Sequence, residues 1–156
     1  FARAFGKALV ASGVDLSKRG RAFISVKDDD KPAACVIARR LRALGFSIVA
    51  TSGTAKALER AHIPAESIRK VAEGSPHIVD AIRARTIALV INTTVGAKEI
   101  RDSYSIRRQT LLANIPYFTT MSAAMAAVEA LEAGFFDPSS PAAADVRSLQ
   151  EWHGDS

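Results

Sequence analysis

Apolar positions along this chain alternate between short continuous runs and stripes repeating every three to four residues. Residues 22–26 (AFISV) form a compact apolar run suited to a buried strand. Residues 31–44 follow as a helix, with Ala34, Ile37, Leu41 and Leu44 on its inward face and Arg39, Arg40 and Arg42 outward. Pro32 fits the first turn, where a missing N–H costs nothing, and Gly45 supplies the stop. Residues 46–50 read as a second strand. The turn-rich Thr51-Ser52-Gly53-Thr54 then leads into a short helix through Ala61, which Ile63-Pro64 breaks. Residues 67–71 are a weaker third strand, and residues 76–85 a helix with Ile78 and Ile82 on one face. Residues 86–91 (TIALVI) are a continuous apolar run of the kind buried on both sides. A helix over 102–114, a short strand over 117–119 and a helix over 122–133 complete the body. At the N-terminus Phe1, Ala4, Phe5, Ala8 and Leu9 mark one helical face.

Strands alternating with helices predict an α/β domain built on a parallel sheet covered on both sides. At 156 residues the chain suits one such domain. After Gly134, Asp137-Pro138-Ser139-Ser140-Pro141 and three alanines read as a linker, with a last segment over 146–152. Phe1 opens directly into a helix, as a piece of a longer polypeptide would. No apolar run reaches the roughly 20 residues of a membrane span, and no secretory signal is visible. The one cysteine, Cys35, sits among apolar neighbours and reads as core packing in a reducing compartment. The net charge of +5 is scattered and interleaved with acids, apart from Arg107-Arg108. That is not the concentrated stripe of a nucleic-acid binder, and it suits a small anionic ligand as well as a solvated surface.

In open parallel sheets ligands bind beyond the carboxyl ends of the strands. The segments expected there are Lys27-Asp28-Asp29-Asp30-Lys31, Thr51-Ser52-Gly53-Thr54, Lys70 with Glu73-Gly74-Ser75-Pro76-His77, Asn92-Thr93-Thr94-Val95-Gly96, and Thr119-Thr120. Hydroxyls beside Gly53 at a helix N-terminus make an anion site from free N–H groups and the helix dipole. Lys31 and Lys70 supply positive charge, while Asn92 and Thr94 can read a base or sugar by hydrogen bonds. The inventory fits a phosphate monoester with a polar body, such as a nucleotide. Catalytic signatures are missing: there is neither a GxSxG elbow nor a Walker A pattern, and His62, His77 and His153 lack metal-ligand spacing. Asp28-Asp29-Asp30 reads as a solvated acidic loop, and His77 as a capping or packing residue or a donor to a ligand.

The ordered motifs Ser25-Val26…Asp30-Lys31, Gly45-Phe46…Ala50-Thr51…Gly53-Thr54, Glu73-Gly74…Pro76-His77-Ile78, Ile91-Asn92-Thr93-Thr94…Gly96 and Ile106-Arg107-Arg108 closely resemble the C-terminal domain of bacterial carbamoyl-phosphate synthase large subunits. The resemblance implies a three-layer methylglyoxal-synthase-like fold, a five-stranded parallel sheet with helices on both faces. It divides the chain into a tail of the preceding ATP-binding synthetase domain with its lead-in (1–20), the allosteric domain (21–134) and a linker with the C-terminal segment (135–156). It implies regulation by UMP as inhibitor, IMP at the same site and ornithine as activator. The nucleotide site maps to Ser25, Lys31, Thr51, Thr54, Lys70, Asn92, Thr93 and Thr94, with Lys31, Thr51 and Thr54 on the phosphate. Ornithine maps to Tyr117, through its backbone, and Thr119, with its remaining ligands on a domain outside this sequence. The resemblance further implies a cytoplasmic ATP-dependent ligase using Mg2+ or Mn2+ and K+, a small glutaminase subunit as partner, and no catalytic residue within this chain. Where the family pattern continues Gly96 with basic residues, this chain has Gly96-Ala97-Lys98, one anion contact fewer.

Three other activities share the fold. Methylglyoxal synthase needs a general base, which its family places in a Gly-Gly-Asp segment where this chain has Glu73-Gly74-Ser75-Pro76-His77. The purine-pathway cyclohydrolase forms IMP and does not merely bind it. Urea-cycle regulatory domains answer to N-acetylglutamate, whereas Lys31, Thr51, Thr54 and Lys70 together favour a nucleotide phosphate.

Overall fold

The computed structural model describes residues 2–93 and 97–144. Five strands, β1 (Arg21–Ser25), β2 (Ser47–Ala50), β3 (Glu66–Ser67), β4 (Ile87–Asn92) and β5 (Tyr117–Phe118), form one sheet in the order β3-β2-β1-β4-β5. Every neighbouring pair is parallel. The helices are α1 (Ala2–Ala11), α2 (Lys31–Ala43), α3 (Ser52–Arg60), α4 (Ile78–Arg83), α5 (Ala97–Leu112), α6 (Met121–Glu132) and α7 (Pro141–Ala144), with 3-10 turns at Asp28–Asp30 and Val71–Glu73.

The pleat sends alternate side chains to opposite faces, and each face has its own helices. Ala22, Ile24, Ile48, Ala50, Leu89 and Ile91 pack with residues of α2, α3 and α6 on one side. Phe23, Val49 and Val90 pack with Ile78, Val79 and Ile82 of α4 and Ile106 of α5 on the other. Ile87 has the parity of Leu89 yet belongs to the α4–α5 side. The register explains this: Arg21 pairs with Ile87 but Ala22 with Leu89, so Ala88 is an extra residue that reverses the facing of Ile87.

The expected α/β architecture is present, with several boundaries corrected. The third strand is the two residues Glu66–Ser67, and not 67–71; Val71–Glu73 closes a 3-10 turn instead. Glu73 fixes that turn by accepting the Lys70 backbone N–H at 2.7 Å, a side-chain bond that an apolarity pattern cannot register. Helix α5 begins at Ala97, five residues ahead of the expected 102. Part of the expected linker is helical, because Ser140 Oγ accepts the Ala142 N–H at 3.2 Å and starts α7 at Pro141. The segment over 146–152 lies outside the described residues.

Helix α1 packs on α6 by a different stripe from the expected one. Phe5 and Leu9 join the core, whereas Ala4 and Ala8 are exposed and Gly6 is buried. A methyl group on Gly6 would stand 2.7 Å from Phe135 Cδ2 and 3.1 Å from Ala130 Cβ, so the glycine sets how closely α1 approaches. Alanine normally gains about 1 kcal/mol over glycine inside a helix. Here Gly6→Ala should instead destabilise by about 1–3 kcal/mol, because Phe135 is itself buried and overpacking forces a shift. A lowered midpoint in urea unfolding checks this; an unchanged or raised one would show that α1 does not dock as described.

The arginines expected outward on α2 are not merely solvated. Arg39 and Arg42 donate to the carbonyls of Ala61 (3.0 Å) and Pro64 (3.0 Å), tying α2 to the connection between α3 and β3. Arg40 pairs with Glu132 of α6 at 2.5 Å, which holds that carboxyl below its ordinary range. Cys35 packs against the core, with its thiol 3.8 Å from the Ala57 carbonyl.

Candidate anion-binding site

The sheet register builds a polar row at the carboxyl edge. Ser25 is paired with Asn92, and Ile24 with Ala50, which puts Ser25 beside Thr51. Counting by twos from Phe23, Val49 and Val90, all three side chains belong to the α4–α5 face. The apolar core on that face therefore gives way, at its carboxyl edge, to Thr51, Ser25 and Asn92. Among the described residues the buried polar side chains are Ser25, Thr51, Thr54, Asn92, Thr93 and Thr110. All but Thr110 are residues that the sequence placed in the ligand site. Burying polar groups costs free energy unless they are bonded, so such a cluster needs either internal partners or a ligand.

Each has a definite partner. Ser25 Oγ and Thr51 Oγ1 share a hydrogen bond of 3.0 Å. Thr54 Oγ1 accepts the Val26 backbone N–H at 3.2 Å, leaving its own O–H to donate. Thr93 Oγ1 accepts the Lys27 N–H at 3.4 Å and donates to Asp30 Oδ2 at 2.7 Å. Its single proton is thus committed to Asp30, and Thr93 shapes the loop after β1 more than it offers a donor. Asn92 Nδ2 donates to Ser103 Oγ at 3.2 Å and to Tyr117 Oη at 3.1 Å.

Thr51 is also the N-cap residue of α3, yet its side chain does not cap the helix. A threonine there normally accepts one of the helix's orphan N–H groups. Its bond with Ser25 withdraws it, so the first turn (Ser52, Gly53, Thr54) keeps its N–H groups and dipole for another acceptor. Lys31 closes in from α2: a methyl on Gly53 would lie 3.7 Å from its Nζ. An ammonium beside the positive end of a helix is repelled unless an anion lies between them. Its present partner is Asp28, at 2.5 Å, whose side chain is 91% exposed and held below its ordinary pKa by Lys31. A solvated ion pair of this kind is worth little and exchanges readily. A helix N-terminus, the Thr54 hydroxyl and the Lys31 ammonium are thus gathered in one place, a set of groups whose chemistry suits an anion.

Lys70 stands partly buried two residues beyond Ile68, whose N–H bonds to the β2 end at Ala50 (2.9 Å). It therefore lies on the same carboxyl edge, and among the described residues its ammonium has no hydrogen bond or ion pair. Thr94 lies outside the described residues, as do the side chains at Ala97 and Lys98. Thr119 is exposed immediately after β5. Tyr117 differs from expectation in that its side chain also engages: it packs on the α4–α5 face and its hydroxyl holds Asn92. Burial pushes the phenol pKa up, so it stays protonated at neutral pH. Ser103 and Asp30 also belong to the site. Ser103 stands three residues before the buried Ile106 on α5, a spacing that could mark it as inward-facing, and Asp30 lies in the Asp30-Lys31 motif. Neither pattern gave their partners.

The contacts of His77 are with Asp80, three residues on. Its backbone N–H donates to Asp80 Oδ2 at 2.8 Å, while Nδ1 is buried 3.4 Å from the same oxygen without a hydrogen bond. Ser75 Oγ also donates to Asp80, at 2.7 Å; this bond and the His77 N–H hold the Asp80 carboxyl below the ordinary aspartate range. Arg107 and Arg108 lie exposed on α5. Asp28 and Asp30 diverge, to Lys31 and Thr93, and among the described residues no group of three or more His, Cys, Asp or Glu is placed to hold a metal ion.

Fold and site together define an α/β domain with hydroxyl, amide and lysine side chains gathered at the carboxyl ends of a parallel sheet. The MGS-like domain family matches residues 33–119, more than half of the sequence, and the chain belongs to that family. It is similar to carbamoyl phosphate synthase large chains of Myxococcus xanthus (56% identical, covering 85% of this chain), Mesorhizobium japonicum (46%, 97%) and Pseudomonas putida (47%, 98%). The matched part is 12%, 13% and 14% of those relatives' lengths respectively. The crystal structure of methylglyoxal synthase from Elizabethkingia anophelis NUHP1 has the same fold, with a TM-score of 0.59 at 15% identity, covering 78% of this chain and 82% of that one. Among the described residues no helix is long and apolar enough to cross a membrane.

Proposed function

We propose that this chain is the regulatory domain of a glutamine-hydrolysing carbamoyl-phosphate synthase large subunit and binds a nucleoside monophosphate at the Thr51–Thr54–Lys31 cradle. The observation that carries the proposal is the withheld cap: Thr51 turns to Ser25, leaving the α3 N-terminus and Lys31 facing one another. The phosphate sits between them, Lys70 adds charge from the β3 side, and Ser25, Asn92, Thr93 and Thr94 border the nucleoside. UMP is the inhibitory ligand, IMP shares its site, and ornithine activates from the Tyr117–Thr119 end with ligands on a neighbouring domain. The whole subunit is a cytoplasmic ligase of pyrimidine and arginine biosynthesis. It partners a small glutaminase subunit and uses ATP, Mg2+ or Mn2+, and K+ on synthetase domains beyond this sequence. Residues 1–20 lead in from those domains, and 135–156 follow the regulatory body.

Phosphate elimination of the methylglyoxal synthase kind needs a carboxylate base at the cradle. The acids between residues 73 and 80 are turned to other work: Glu73 accepts the Lys70 N–H, and Asp80 accepts from Ser75 and His77. This supports a binding role, with regulation arising only if the ligand binds the subunit's active and inactive states with different free energies. Calorimetric titration with UMP, IMP and N-acetylglutamate tests the proposal, alongside an assay for methylglyoxal from dihydroxyacetone phosphate. Saturable binding of UMP and IMP without turnover is expected. Preference for N-acetylglutamate, or measurable methylglyoxal, would overturn it.

A further inference from the structure

The wall of the pocket has a polarity, and the side chain that sets it is one whose backbone alone was expected to matter. Asn92 spends both amide hydrogens on neighbours, Ser103 Oγ at 3.2 Å and Tyr117 Oη at 3.1 Å. What it can turn toward a ligand is therefore its carbonyl oxygen. That oxygen has two lone pairs and can accept from a ligand beside any partner it already has. The two anchoring hydroxyls come from different elements, α5 and β5, which clamp the amide from two directions. Tyr117 belongs to the face on which Asn92, Ser25 and Thr51 form the polar row, and it is half-buried there against the α4–α5 core.

We infer that Tyr117 and Ser103 are positioning residues that hold the Asn92 amide with its oxygen toward the pocket, so that the site selects nucleotides presenting a hydrogen-bond donor to it. This rests on the nucleotide reading above and deepens it. A buried site built to accept rejects an analogue that also accepts, because two lone pairs then face each other undischarged. The donor has two sources in a nucleotide: the ring N–H of uracil or hypoxanthine, or a ribose hydroxyl. Cytosine carries an unprotonated ring nitrogen where uracil carries N–H, so CMP reports on the first. The deoxyribose analogue dUMP reports on the second. The same clamp ties β5, and with it Thr119, to what the pocket holds.

The test is calorimetric titration of the chain and of Tyr117→Phe with UMP, CMP and dUMP. In the unaltered chain UMP is expected to bind about tenfold more tightly than whichever analogue lacks the donor. Tyr117→Phe removes the acceptor for one amide hydrogen and frees the amide to turn. UMP affinity should fall about fivefold and the discriminating ratio should drop toward one. A collapse of the UMP/CMP ratio assigns the base, and a collapse of the UMP/dUMP ratio the sugar; either supports the inference. A purely packing role for Tyr117 would weaken all three nucleotides alike, and unchanged ratios in a variant that still binds UMP overturn the inference while leaving the nucleotide reading intact. Absence of UMP binding in the unaltered chain overturns both. Should Tyr117→Phe lose its fold by circular dichroism, Ser103→Ala removes the other anchor and carries the same readout.

Discussion

Lys31→Ala is expected to weaken UMP binding by about 10- to 100-fold, the loss of a hydrogen bond between charged groups in a partly enclosed site. Lys31 is the cleanest probe of the cradle because it holds nothing else in place. Its one described partner is the highly exposed Asp28, and its ammonium stands over Gly53 at the start of α3. Removing it should leave the unfolding midpoint almost unchanged. Thr54→Ala is less clean. It too should weaken UMP, by about 1–3 kcal/mol, but it also strips the acceptor from the buried Val26 N–H and destabilises the domain by a comparable amount. Asp28→Ala should act in the opposite direction, raising UMP affinity by about two- to fivefold by releasing Lys31 from a competitor. The Lys31 contribution should shrink as salt rises, since it is a charge interaction near solvent. Equal UMP affinity in the unaltered chain and Lys31→Ala would show that the phosphate lies elsewhere.

The contrast between Lys31 and Thr54 shows what a sequence can convey about a site. Continuous apolar runs at 22–26 and 86–91 are enough to place β1 and β4, and the turn residues after β2 are enough to place the α3 N-terminus. Parallel-sheet geometry then brings Thr51, Ser25 and Asn92 into one row without further information. What a one-dimensional pattern does not carry is which hydroxyl satisfies which. Thr51 has the chemistry of a cap, and only the register beside Ser25 shows that it does not cap. Thr93 has the chemistry of a phosphate donor, and only its 2.7 Å bond to Asp30 shows its proton in use. Tyr117 was legible as a β5 residue, but its reach to Asn92 crosses 25 positions in sequence. The short β3 departs from the apolar pattern for a related reason: Ile68 and Val71 look strand-like, yet they turn onto the α4–α5 core while Glu73 closes the chain on Lys70.

Phe23→Ala should be the most damaging single change, costing about 3–5 kcal/mol of stability. The ring is fully buried and is the largest side chain among the most deeply buried residues. It lies between Val49 and Val90 in the register and against the α4–α5 core. A cavity there has rigid strands on both sides, so it collapses poorly. Against the roughly 5–15 kcal/mol that holds a typical domain together, such a loss brings the variant near the edge of folding. Urea unfolding followed by circular dichroism checks this, and an unchanged midpoint would contradict the assigned core. The position also matters for the ligand, because Phe23 is two residues before Ser25 on the same face and forms the apolar floor under the polar row. Phe23→Leu separates the two roles. It keeps most of the volume, so the cost should be only about 1–2 kcal/mol, between a volume-conserving swap and a full truncation. UMP binding by this folded variant should still fall, since Ser25 would settle toward the vacated space and loosen its 3.0 Å bond to Thr51. Thr51 would then be released to cap α3 itself and compete with the phosphate for the N–H groups that the cradle depends on. Full UMP affinity in folded Phe23→Leu would show that the withheld cap is set by the strand ends alone.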